Sequence, residues 1–428
     1  MQATVTHDTL ERKLSGQILT CLNHYPALSN PSQFDVLRQM EYALLDAEDH
    51  VYLDFTGGNL YAVSQVNRHL QFLRDQVLGN PHSVNPTSMA ATHLVESARK
   101  AVLDFFNARD YICVFTSNAS AALHIVGECY PFNKQSHLLL LSDNHNSVNG
   151  IREYCRHKGG TYSYCFVDHH NEMRINDDQL TIDLHLQGTA GSKLFAYPAQ
   201  SNVTGVKHDL EWIERAHAAG WDVLLDAAAF VPTNTLDLSE VRPDFVSISF
   251  YKIFGYPTGL GCLLVQKDSF LKLAKPNFAG GTISLVSVGA KRHFLLPGHE
   301  RFENGTVNYL SIPAIEIGLD YINAIGMKYI QERVTLLTGL LLDELGELRH
   351  NTGIALVRII GPRTTLNRGG TIAMNFYNER GVEYPFQEIE QAANRMNISL
   401  RTGCFCNPGI EELAHKINAT ELTNYFNS

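Results

Sequence analysis

Long apolar runs are missing from this chain. No stretch reaches the ~18 consecutive apolar residues that a membrane helix requires, so no membrane role is expected. Charge is scarce as well, at 18% of 428 residues against 44% apolar. That balance is too apolar for disorder and ample for a core. Basic clusters are lacking, and 34 basic against 44 acidic residues leave a net charge of −10. Such a surface does not attract nucleic acid or an anionic membrane. The eight cysteines are spaced irregularly and make no disulfide framework. Cys21, Cys113, Cys129, Cys155, Cys165 and Cys262 sit singly in apolar or helical surroundings and read as small buried hydrophobes. Residues 1–14 are polar and lack the apolar segment of a secretory signal. A reducing, cytoplasmic location is expected.

Repeats, low-complexity tracts and Gly/Ser linkers are also lacking. What is present is a series of short apolar runs at 112–116, 138–142, 162–167, 194–198, 223–227, 246–250 and 261–265. Most are separated by helix-compatible sequence, the pattern of a largely parallel sheet buried on both faces. Leu94, Ala98, Ala101, Val102, Phe105 and Phe106 share one face at helical spacing. Further helices are expected at 121–129 and 210–219. Beyond about residue 300 the pattern predicts one long helix, 312–348, then strands near 356–360 and 371–375. The expected architecture is α/β, with a large domain at 47–300. A smaller α+β domain is expected from 1–46 and 301–428.

Lys252 stands directly after an apolar run and before a Gly/Pro-rich turn, with no charged residue near it from Phe245 to Gln266. A lysine is ordinarily a solvated surface group. Here desolvation lowers its pKa and favours the free amine that forms a Schiff base. An aldehyde cofactor such as pyridoxal phosphate also needs a carboxylate at its ring nitrogen, an anion cradle and a stacking group. Asp226 ends the apolar run Val223-Leu-Leu-Asp, at the strand edge where α/β sheets bind ligands. Thr116-Ser-Asn-Ala-Ser-Ala-Ala-Leu is a strand end opening a helix, whose free N–H groups suit a phosphate. An ordinary helix cap at Ser117 or Ser120 explains the same residues. His145, after the next strand, is placed to stack on a ring, or is a loop residue.

Six segments stand in order along the chain: Tyr52-Leu-Asp-Phe-Thr-Gly-Gly, Leu78-Gly-Asn-Pro-His-Ser, Phe115-Thr-Ser-Asn-Ala-Ser-Ala-Ala-Leu, Leu224-Leu-Asp-Ala-Ala-Ala-Phe, Ser249-Phe-Tyr-Lys-Ile-Phe-Gly and Arg401-Thr-Gly-Cys-Phe-Cys-Asn-Pro-Gly. Together they resemble the class V aminotransferase branch of fold type I pyridoxal-phosphate enzymes. That branch includes the cysteine desulfurases, and the likeness is closest to the N-terminal desulfurase-like domain of the molybdenum cofactor sulfurases. The resemblance implies a seven-stranded, mainly parallel sheet and pyridoxal 5'-phosphate as cofactor. It implies Lys252 as the Schiff-base lysine, Asp226 at the ring nitrogen and His145 on the ring. Asn202 would lie near the ring hydroxyl and the substrate carboxylate. The phosphate would be held around Asn118, Ala119, Ser120 and Ser249, with Tyr251 where many desulfurases carry histidine. Thr306 would reach the cofactor of a partner subunit, which makes the expected assembly a homodimer.

The same resemblance makes Arg401 the anchor for an amino-acid carboxylate, the alternative being a surface ion pair. Glycines and a proline around Cys404-Phe-Cys406 favour a loop. No second cluster with zinc spacing accompanies the pair, which disfavours a metal site; two inert thiols are the other alternative. By alignment Cys406 takes the position of the nucleophile that keeps the sulfur of L-cysteine as a persulfide, and Cys404 is a bystander or a resolving thiol. Three departures stand out. The chain stops at Ser428, without the sulfurases' second domain, so any sulfur acceptor is expected to be a separate protein. Ala229 replaces the glutamine of typical desulfurases. Ile410-Glu-Glu follows where small residues and another cysteine are usual. The leading expectation is a cysteine desulfurase-type sulfurtransferase. The alternatives are a C–S lyase, an aminotransferase or a biosynthetic elimination enzyme on another amino acid, and a non-enzymatic scaffold.

Overall fold

The computed structural model describes Tyr25 and residues 32–186, 190–274, 280–417 and 419–427. Residues 1–14, Cys21 and most of 1–46 lie outside the described residues. Each of the seven apolar runs forms a strand of one sheet. They are β1 (Tyr111–Thr116), β2 (His137–Leu141), β3 (Thr161–Cys165), β4 (Lys193–Pro198), β5 (Asp222–Asp226), β6 (Phe245–Ser249) and β7 (Gly261–Gln266). Their spatial order is β1-β7-β6-β5-β4-β2-β3. β3, β2, β4, β5 and β6 run parallel, while β7 is antiparallel to both of its neighbours. Alternate residues enter opposite cores: Val223 and Leu225 face one cluster and Leu224 the other. Both sheet faces are therefore covered, which is why these strands read as continuous apolar runs. The run at 162–167 is shorter as a strand, since Val167–Asp168 leaves the sheet to pair with Arg174–Ile175.

The predicted helices are present as α1 (Pro86–Phe105), α2 (Ala119–Cys129) and α3 (Glu211–Ala218). Asn85 caps α1 by accepting from the Ser88 N–H at 3.0 Å, and Pro86 opens it at a position that needs no N–H. A short helix, α4 (Phe250–Phe254), follows β6 and carries Lys252. The long helix expected at 312–348 is in fact two, α5 (Pro313–Ile325) and α6 (Met327–Glu347). Gly326 separates them at φ 92°, a conformation that only glycine adopts without strain. Apolar periodicity continues on both sides of the break, so it hid the break.

α5 packs along α1, and its Gly318 lies against the Phe254 ring of α4. Beyond α6, Val357–Ile360 and Ala373–Phe376 form an antiparallel pair near the expected positions. A two-residue parallel pairing of Val51–Tyr52 with Ile398–Ser399 then leads into the segment of Arg401. Cys113, Cys129, Cys155, Cys165 and Cys262 are all buried free thiols. Among the described residues no helix is long and apolar enough to cross a membrane.

Candidate active site

The carboxyl ends of β4, β5 and β6 open onto a cavity of about 340 Å³. Its walls include Asn118, Ala119, Ser120, His145, Asn202, Asp226, Ser249, Tyr251 and Lys252, with Ser147, Gln200, Ala229 and Thr258. Nine of the expected site residues therefore meet in one place. Burial depresses the Lys252 pKa, Asp226 opposes that shift, Arg401 reinforces it and Cys406 opposes it. The net direction is downward, so the free amine is more available than on a surface lysine.

Asp226 is 8% exposed at the end of β5. Its Oδ1 accepts from Ser247 Oγ at 2.9 Å and from the Ala228 N–H at 3.1 Å. These bonds fix the orientation of the carboxylate. His145 Nδ1 accepts the Ser147 N–H at 3.1 Å, which leaves the ring proton on Nε2 in the neutral imidazole. Burial lowers the His145 pKa; Asp226 counters this and Lys252 adds to it. The imidazole is thus predominantly neutral at pH 7 and suited to lie against an aromatic ring.

The strand-to-helix turn has the makings of an anion cradle. Asn118 is extended and caps α2, its Oδ1 accepting the Ala121 N–H at 2.9 Å. The Ala119 N–H donates to Ser249 Oγ at 3.0 Å, and Ser120 Oγ lies 2.7 Å from Ser147 Oγ. Gly261 at the start of β7 permits this arrangement. A Cβ there would fall 2.7–2.8 Å from the Asn118 backbone. The start of this eleven-residue helix, where the Ala119 N–H is held only by a serine hydroxyl and further hydroxyls stand on each side, suits a phosphate. Amine, carboxylate, imidazole and cradle together fit pyridoxal phosphate.

Three expected residues do not line this cavity. Thr306 is exposed and accepts from Asn80 Nδ2 at 3.3 Å. Arg401 makes a bidentate pair with Asp54, both contacts at 2.8 Å. Cys406 is exposed, in a loop where Phe405 and Cys406 both hold positive φ, 52° and 57°. That loop is nevertheless fastened to the cavity wall. Asn202 Nδ2 donates to the Phe405 carbonyl at 2.8 Å, and the Asn146 N–H donates to the Cys406 carbonyl at 2.6 Å. Asn407 Nδ2 donates to Asn202 Oδ1 at 3.0 Å and to the Asp143 carbonyl at 2.7 Å. Both ends of the Asn202 amide are thus engaged with the cysteine loop. Cys404 is half-buried, and burial raises its pKa, with Glu411 adding to the rise.

Asn407, Asp54, Gln200 and Ser147 were not picked out by the sequence. A local signal existed for Asn407, which precedes Pro408 and caps the helix Pro408–Ala414. No signal links Asp54 to Arg401, which lies 347 residues away. Asn407 is fully buried, so Asn407→Ala should strand the groups it bonds. The expected cost is about 1–3 kcal/mol, read as a lower urea midpoint at an unchanged slope.

The family model described as class-V aminotransferases matches residues 51–421. The chain belongs to the class-V aminotransferase family. Its membership makes it a pyridoxal-phosphate enzyme of the fold type I architecture described above. Among curated class-V relatives, the molybdenum cofactor sulfurase of Solanum lycopersicum is 36% identical over 418 residues, covering 90% of this chain and 51% of the relative. The human molybdenum cofactor sulfurase is 35% identical over 404 residues, covering 89% and 45%. The chain spans about half the length of the curated relatives it matches. Among solved class-V structures, the apo cysteine desulfurase of Thermococcus onnurineus NA1 superimposes with a TM-score of 0.75 at 25% identity, covering 88% of this chain and 90% of that one.

Proposed function

We propose that this chain is a pyridoxal-phosphate-dependent sulfurtransferase that converts L-cysteine to L-alanine and keeps the sulfur as a persulfide on Cys406. The observation that carries the reading is the attachment of the cysteine loop, through Asn202 and Asn407, to the wall of the cavity that holds Lys252 and Asp226. A relative 36% identical, named as a molybdenum cofactor sulfurase, and a cysteine desulfurase of like fold support it.

In this reading Lys252 would hold the cofactor's aldehyde carbon and Asp226 its ring nitrogen. His145 would lie against the ring. Asn118, Ala119, Ser120, Ser249 and Tyr251 would surround the phosphate. When bound, the cofactor supplies an electron sink for the substrate's α-carbon. Lys252 takes the proton from that carbon and returns it, as a depressed pKa equips it to do. Asp226 would hold the ring nitrogen, oriented by Ser247 and the Ala228 N–H. Arg401 binds the substrate carboxylate, with Asn202 beside it. The Cys406 thiolate attacks the substrate sulfur. An S–S bond forms as the C–S bond breaks, and the bonding electrons leave on carbon, which takes up a proton to give alanine. The persulfide sulfur then passes to a separate acceptor protein, in a reducing compartment such as the cytoplasm.

The proposal includes a homodimer and two domains, 47–300 and 1–46 with 301–428, the smaller carrying the Arg401–Cys406 loop. Thr306 lies beside an uncovered apolar surface. Val77, Val84 and Val288 are 80%, 90% and 92% exposed, and Leu285 and Phe294 stand out from the same hairpin as Val288. Asn80 ties the 77–84 segment to Thr306, and Gly281 at the hairpin base lies against Gly305. A partner subunit covering this face would bring its cofactor to Thr306. Sedimentation should give twice 47.8 kDa, and Thr306→Ala should weaken cofactor retention. A monomer with full cofactor content would contradict this.

The experiment that tests the function supplies the holoenzyme with L-cysteine and measures products. Alanine is expected in excess of pyruvate. Pyruvate and ammonia in equal amounts, with free sulfide, would make the protein a C–S lyase.

A further inference from the structure

Asp54 has no part in the mechanism above, yet it is the residue that Arg401 touches. Its carboxylate takes Arg401 Nε–H and one Nη2–H, both at 2.8 Å. A guanidinium presents five N–H donors in one plane and can hold a second carboxylate along its free edge. Among the described residues Arg401 Nη1 has no hydrogen-bond partner. We propose that Asp54 is a positioning residue for substrate recognition. It holds one edge of Arg401 and so presents the other to the α-carboxylate of the amino-acid substrate. The inference rests on Arg401 being the carboxylate anchor.

The local structure is built to bring the pair together. Val51 pairs with Ile398 and Tyr52 with Ser399 in parallel register, and the Leu53 N–H donates to the Ser399 carbonyl at 2.8 Å. Two residues beyond Tyr52 and Ser399 stand Asp54 and Arg401. The chain then turns back, the Gly57 N–H donating to the Asp54 carbonyl at 3.0 Å and the Tyr52 hydroxyl to the Gly58 carbonyl at 2.8 Å. A Cβ on Gly57 would meet the Arg401 guanidinium and lie 2.7 Å from Asp54 Oδ1, so a side chain there would push the pair from its present position.

The same turn grips the helix of Lys252. The Asn59 N–H donates to the Tyr251 carbonyl at 3.2 Å, and Asn59 Nδ2 donates to the Ile253 carbonyl at 2.8 Å. One short segment thus fixes the anchor's guanidinium relative to the reactive amine. The Arg401 side chain is 48% exposed, so the pair adds little to stability. Its value lies in orientation.

The test uses the holoenzyme of the wild type, Asp54→Asn and Arg401→Lys. KM and kcat are measured with L-cysteine, and the dissociation constant of L-alanine is measured by calorimetry. Cysteamine, which lacks the carboxylate, serves as the control ligand. Asp54→Asn should raise KM and weaken L-alanine binding by about tenfold or more, with kcat within about threefold and cysteamine binding unchanged. If Arg401→Lys raises KM but Asp54→Asn leaves it unchanged, the inference fails and the anchor stands. If Asp54→Asn lowers KM, Asp54 competes with the substrate and the inference is overturned. If Arg401→Lys itself has no effect on KM, the anchor reading fails and the inference with it.

Discussion

Lys252→Ala is expected to reduce alanine formation from L-cysteine by at least about 10³-fold. Two losses combine in that figure. The amine that holds the cofactor is removed, and so is the group that moves the α-proton. The fold should persist, because α4 is a short helix whose buried anchors are Phe250, Ile253 and Phe254. Lys252→Arg separates charge from basicity: it keeps a cation beside Asp226 but supplies no free amine, and should be equally inactive. In the wild type, burial lowers the Lys252 pKa. The reactive amine is the deprotonated form, so activity should rise with pH through a value below that of an ordinary lysine. Retention of a tenth or more of the activity in Lys252→Ala would exclude this residue from the chemistry.

Cys406→Ala should cost on the order of 10³-fold in alanine formation, for a different reason. Cofactor content should be unaffected, since the side chain is exposed and outside the cavity wall. Cys404→Ala should keep most of the activity. Burial and Glu411 raise the Cys404 pKa and so disfavour its thiolate, the form that attacks sulfur. Equal losses in the two variants would mean that sulfur passes through both thiols.

The sheet was legible in the sequence because strands buried on both faces have no polar side to break up their apolar runs. Lys252 and Asp226 were legible because each sits at the end of such a run. The break at Gly326 was not, since the apolar pattern of α5 resumes in α6 and one glycine inside a helical pattern is weak punctuation. The resemblance supplied Arg401 and Cys406, but not what holds them. Asp54 meets Arg401 only because a two-residue parallel pairing joins Val51–Tyr52 to the distant Ile398–Ser399. Asn202 was expected beside the cofactor, and it does line the cavity; that its amide also clamps the cysteine loop depends on contacts more than 200 residues distant.

The central claim is that sulfur leaves L-cysteine for Cys406. Its most direct test is mass spectrometry of the Cys404–Cys406 peptide after a single turnover of the holoenzyme with L-cysteine and no reductant. The account predicts one added sulfur on Cys406, none on Cys404, and one alanine released for each persulfide formed. Unmodified Cys406, with the sulfur recovered as free sulfide and the carbon as pyruvate, would contradict it.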